Sequence, residues 1–130
     1  KKENLGKRDK NNMKRDLIMF LDDILDSINA IEEFSKDMKK KELLSNRLKQ
    51  SAIVREIEVI GEAVKNIPDS FREKHLNIPW TKIAGMRDII IHGYFRVDLD
   101  AVWNVIKRDL PGLKKEMEKI KANIQEERIL

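Results

Sequence analysis

The chain has 130 residues, enough for one domain with one core, and 41% of them are hydrophobic, enough to bury it. Zero cysteines exclude a disulfide framework and a thiolate metal site, and only 3 prolines and 5 glycines argue against an all-β fold. The net charge of +4 is concentrated at one end: residues 1–12 hold five cations and two anions, leaving +1 for Met13 to Leu130. Binding of a nucleic acid would therefore rest on a local patch rather than on bulk charge. The longest apolar run, Leu17 to Leu21, is far short of the roughly 20 residues needed to span a bilayer. No signal-peptide pattern is present, so the expectation is a cytoplasmic protein with no membrane partner.

Lys1 to Asn12 is polar and aperiodic, with Leu5 as its only large apolar residue. It reads as a disordered basic tail or as residues upstream of the native start, and the single folded domain is expected over 13–130. From Met13 to about Lys36, Met13, Leu17, Phe20, Leu21, Ile24, Ile28 and Ile31 recur at three and four residues and predict a helix. Asp22, Asp23 and Asp26 lie mostly off that stripe and read as a solvated face. A second long helix is expected over Lys39 to Asn66, striped by Leu44, Leu48, Ile53, Ile57, Ile60, Val64 and Ile67. It ends before Pro68, because the residue ahead of a proline is pushed out of the helical region. Gly61 inside it costs about 1 kcal/mol against alanine, which suggests that another backbone packs closely there. Glu62 is either a supporting carboxylate or an ordinary helix-surface residue.

Asp69 to Glu73 reads as one helical turn started by an Asp or Ser side-chain cap. His75 falls in this connection as a surface residue, with no partner spacing for zinc. Pro79 can open a third helix, striped by Trp80, Ile83, Met86 and Ile90 and expected to fray at His92-Gly93. Asp98 caps a fourth, about Leu99 to Gln125, which Pro111 kinks or divides. Four apolar stripes with short links predict an all-α fold: an antiparallel up-and-down bundle of four to five helices.

The polar ends of Met86-Arg87-Asp88-Ile89-Ile90-Ile91-His92-Gly93-Tyr94 hold a permanent cation, a titratable imidazole and the chain's only tyrosine. In an unbroken helix Arg87 and His92 would sit about 140° apart. To converge they need the helix to loosen, or a second copy of the chain to supply half of the site. An arginine and a histidine at a helix end are also what a cationic C-terminal cap looks like. The three isoleucines read as core.

Arg87, four intervening residues, His92, one residue and Tyr94 resemble the Arg-x4-His-x-Tyr signature of HepT-type toxins of the HEPN superfamily. Asp88 matches the polar residue usual after that arginine. Trp80 to Gly85, Gly61-Glu62-Ala63, Val102-Trp103 and Asp109-Leu110-Pro111 are similar to the same family, and the similarity runs from Met13 to about Ile120. The resemblance implies a HEPN-like bundle and a homodimer with a composite cleft at its interface. It also implies metal-independent cleavage of RNA without a cofactor, in a toxin–antitoxin pair. Its partner would be a minimal nucleotidyltransferase antitoxin that transfers AMP to Tyr94.

The chemistry agrees with those residue types. A histidine with an ordinary pKa of about 6.5 can take or give a proton near neutrality. An arginine cannot, but its planar fork can hold two phosphate oxygens as charge builds on them. His92 is therefore assigned to proton transfer, Arg87 to phosphate positioning, Asp88 to orienting either side chain, and Tyr94 to RNA contact or modification. The alternative function is a non-catalytic helical partner or regulatory subunit of a nucleotidyltransferase.

Overall fold

A computed structural model describes residues 2–92 and 96–129, with side chains over 12–91 and 96–127. Among these the protein is an all-α bundle with one short two-stranded hairpin. The elements are α1 (Lys2–Phe34), α2 (Lys40–Ser45), α3 (Arg47–Lys65), α4 (Asp69–Arg72) with a 3-10 turn (Glu73–His75), α5 (Trp80–Ala84) and α6 (Met86–Ile90). Strands β1 (Ile91–His92) and β2 (Arg96–Val97) follow, then α7 (Leu99–Asn104), a π-helical turn (Val105–Asp109) and α8 (Leu110–Ile129).

The long helices run antiparallel because their apolar stripes face one shared core. Leu21, Ile24, Ile28 and Ile31 of α1 meet Ile53, Ile57 and Ile60 of α3, all with no exposed surface, and Leu110 and Met117 of α8 close the third side. Each such side chain stabilises the fold by about 1.5–3 kcal/mol relative to leaving it in water. The surface pairs Lys14–Glu127 (3.5 Å), Asp22–Lys121 and Glu32–Lys114 (2.8 Å) descend α8 as they ascend α1, which fixes the antiparallel sense. Exposed pairs of this kind add little energy. Among the described residues no helix is long and apolar enough to cross a membrane.

Several expectations need correction. Helix α1 begins at Lys2, ahead of the expected Met13. The preceding residues include Lys, Glu, Leu and Arg, all good helix formers, and a helix already nucleated extends at little further cost. The single helix expected over Lys39 to Asn66 is broken at Asn46, whose backbone is extended (φ −115°, ψ 95°). Its side chain accepts from the Lys49 N–H (3.0 Å), so it caps α3 rather than continuing α2. The break shifts the register: Leu43 is buried, while Leu44 and Leu48 lie on the surface. Met13 is exposed as well, and α4 starts from Pro68 with no side-chain cap. Of the three isoleucines Ile90 is core, Ile91 is half-buried and Ile89 is exposed.

Other expectations hold. Asp98 accepts from the Ala101 N–H at 3.0 Å and caps α7. Pro111 divides the last helix: lacking an N–H, it follows a turn in which the Leu110 N–H reaches back five residues to the Val105 carbonyl. The backbone that packs on Gly61 is α5. A methyl group at Gly61 would lie 3.3 Å from the Ala84 carbonyl oxygen and 3.8 Å from that of Ile83.

Candidate functional site

The third helix expected from Pro79 is two helices. Gly85 breaks it after five residues, donating to the Thr81 carbonyl (3.1 Å) and accepting from the Asp88 and Ile89 N–H groups (3.0 and 3.2 Å). What remains, α6, is anchored by Met86 and Ile90, four residues apart and both buried, so Arg87 and Asp88 face outward. The helix then stops at Ile90, short of the fraying expected at His92-Gly93. Ile91 is extended (φ −115°, ψ 115°), a conformation that β-branched residues favour. Ile91 pairs with Val97 and His92 with Arg96 in an antiparallel register, and the Asp98 N–H donates to the Ile90 carbonyl at 2.6 Å.

The motif therefore straddles a helix-to-strand junction, and the 140° separation of an unbroken helix does not apply to Arg87 and His92. The Arg87 side chain is 54% exposed. Its Nε lies 4.0 Å from Glu58 Oε1 and its Nη1 lies 3.7 Å from Asp88 Oδ1. Both contacts are long for charge-assisted hydrogen bonds, so toward the described residues the planar fork keeps donors for an incoming anion. Asp88 does stand beside Arg87. The backbone of His92 is fixed by β1, while its side chain and the whole of Gly93, Tyr94 and Phe95 lie outside the described residues.

Two neighbours of the motif were not legible as such. Glu58 lies one turn before Glu62 on α3, and it is Glu58 that faces Arg87. Glu62 points to solvent and pairs with Lys65 at 3.3 Å. The available signal was Gly61: close approach of α5 to that point of α3 brings α6 over the preceding turn. Arg96 is the other, an exposed cation at the cross-strand position from His92. Its signal would have been a hairpin, which three isoleucines in a helical stripe obscured.

The remaining candidates serve structure. Trp80 is buried, and its Nε1–H donates to the His75 carbonyl (3.0 Å) and the Arg72 carbonyl (3.2 Å), which ties α5 to the preceding turn. His75 is half-buried against Phe71, ring centroids 4.7 Å apart. Asp23 and Asp26 are exposed, as a solvated face requires.

The comparisons with known proteins place this helical bundle among ribonucleases. Residues 24–120 match the family described as Ribonuclease HepT-like, and the chain belongs to that family. It is 43% identical to the "Probable ribonuclease HepT" of Thermococcus cleftensis, over 84% of this chain and 99% of that protein. It is 48% identical to the "Putative RNase MJ0125" of Methanocaldococcus jannaschii, over 87% of this chain and 97% of the relative. A third relative, the "Gamma-glutamylcyclotransferase and putative RNase MJ0434" of the same organism, is 48% identical over 83% of this chain but 49% of its own length. No solved structure gives a significant match.

Proposed function

We propose that this ribonuclease is the toxin of a toxin–antitoxin pair, a homodimer that cuts RNA internally without a metal through Arg87 and His92. His92 takes the proton from a ribose 2′-OH, whose oxygen attacks the adjacent phosphorus. The bond to the 5′-oxygen breaks, and that oxygen is protonated by the second histidine of a two-fold cleft. The products are a 2′,3′-cyclic phosphate and a 5′-hydroxyl. Arg87 holds the non-bridging oxygens as their charge grows. Asp88 and Glu58 limit the orientations open to its fork. The observation that carries this reading is the exposed, loosely paired Arg87 guanidinium at a junction that frees His92 from helical spacing.

Tyr94 is the acceptor for AMP from a cognate minimal nucleotidyltransferase. The tyrosyl oxygen displaces pyrophosphate from ATP, and the new phosphodiester puts negative charge where RNA phosphate has to bind. The test is intact mass after co-expression with such an enzyme, then cleavage by modified and unmodified protein, with and without a chelator. A gain of one or more AMP units on Tyr94, with chelator-resistant cleavage by the unmodified form alone, is the expected result. Modification with cleavage by neither form would favour the second reading, a non-catalytic partner of the nucleotidyltransferase. The near-neutral charge of Met13 to Leu130 is what supports that second reading. A monomer by light scattering at micromolar concentration would defeat the shared cleft.

A further inference from the structure

We infer that the cleft between α5–α6 and the start of α8 is a nucleotide-binding subsite, taking one unpaired nucleotide of the bound RNA. The inference rests on the ribonuclease reading above. The cleft has a volume of about 300 Å³, and its floor is Ile78, Ile83, Met86 and Leu113. Met86 is the chain neighbour of Arg87, so the cleft and the motif share α6.

The fold bears several local costs at this one place. The π-helical turn, Pro111 and Gly112 follow one another where α8 begins, and each is unfavourable inside a helix. Their joint effect is an opening. A Cβ at Gly112 would have no atom within 4 Å, so the helix presents bare backbone to the cleft.

The rim says what the cleft suits. Lys82 is paired with Asp109 (3.3 Å), and the Asn77 amide donates to Glu116 Oε2 (3.0 Å). Of the two cations that line the cleft, the exposed Arg108 is the one with no ion-pair partner among the described residues, placed to meet a phosphate. A base lies on the aliphatic floor. Glu116 Oε1 has no donor among the described residues, which favours a base with an exocyclic amino group over uracil. An apolar floor, an acceptor and a single free arginine together match a nucleotide better than an acidic or a purely apolar peptide.

Gly112→Leu tests the cleft without threatening the fold, because leucine is a better helix former and its Cβ meets open space. The probe is a 12-nucleotide RNA with every 2′-OH methylated, so that no strand can be cut. Gly112→Leu and Arg108→Gln should each raise Kd for a cytosine-rich probe about tenfold, and the parent should prefer it to an oligouridine. Leu48→Gln, on the exposed α2–α3 junction, should bind like the parent. Unchanged binding by Gly112→Leu overturns the subsite, as does loss of nucleotidyltransferase binding in place of RNA binding. If the parent cuts RNA while Gly112→Leu binds normally, only this inference falls. If the parent neither cuts nor binds RNA, the ribonuclease mechanism falls with it.

Discussion

Replacing Arg87 by alanine should separate catalysis from stability. The guanidinium is 54% exposed, and its two carboxylate contacts, at 4.0 and 3.7 Å, sit near the limit of an ion pair. Exposed pairs of that quality contribute at most about 1 kcal/mol in total. Arginine and alanine differ little as helix formers, so α6 loses nothing further. For a chain of this size that is a fall in Tm of no more than about 5 °C. In the proposed mechanism the transition state has more at stake, because charge would grow on the phosphate oxygens that the fork holds. Removing such a donor costs about 10²–10³-fold in kcat, or about 3–4 kcal/mol. Arg87→Lys should fall between, since an ammonium keeps the charge but not the paired hydrogen bonds. A labelled RNA followed by gel and a thermal melt of the same samples provide both numbers. Cleavage within twofold of the parent would refute the role. A melting point lowered by more than about 10 °C would instead make Arg87 a structural residue.

Other expectations follow from packing. Gly61→Leu should destabilise by about 2–3 kcal/mol in a urea titration, because the Cβ already meets the Ala84 carbonyl oxygen at 3.3 Å and the rest of the side chain must push α5 away. A midpoint equal to the parent's would show that α5 does not press on α3. Trp80→Phe removes the donor shared by two carbonyls and should cost about 1–2 kcal/mol, while a loss below 0.5 would mean that water replaces it. The hydrogen bond to Glu32 raises the Lys114 pKa above its ordinary 10.5, with attraction to Glu32 and Glu118 adding to it. The folded value exceeds the unfolded one, so this contribution is complete below about pH 10.5 and disappears as pH rises through the raised value. Tm of the parent should therefore fall more steeply above pH 10.5 than that of Lys114→Met, and parallel curves would exclude the pair.

The bundle was legible because its stripes are long. Over α1, α3 and α8 many apolar residues repeat at helical spacing, so one misplaced position hardly affects the pattern. The errors cluster where an element is short. Asn46 offers its own side chain to the backbone, so a cap beats continuation, and Leu44 and Leu48 fall on the surface rather than in the stripe. Gly85 and the extended Ile91 cut a helix of apparent regularity down to the five residues of α6. Periodicity is blind to such breaks because Trp80, Ile83, Met86 and Ile90 are all buried in both versions. The order Arg87, Asp88, His92, Tyr94 was readable. The partner Glu58 and the hairpin that sets Arg96 opposite His92 arise from contacts between elements, which no spacing within one element encodes.

Charge supplies one more test, and it concerns how RNA is held at all. Met13 to Leu130 carries a net +1, so affinity has to come from a few placed cations. Arg87, Arg96 and Arg108 are exposed and lie near the motif or the cleft. Three phosphate contacts from one protomer would give a slope of log K against log salt of about −2, at roughly −0.7 for each contact on a single strand. A two-fold cleft that engages both copies would give about −4. Residues 1–12 add a +3 balance that could mimic this effect. Replacing Lys7, Arg8 and Lys10 with glutamine distinguishes the two sources. If the slope of the parent is near −4 and the triple variant keeps it, recognition belongs to the placed arginines of a dimer. A parental slope well beyond −4 that collapses in the variant would assign most of the binding to the basic segment, and the arginines would then act on RNA that other residues have captured.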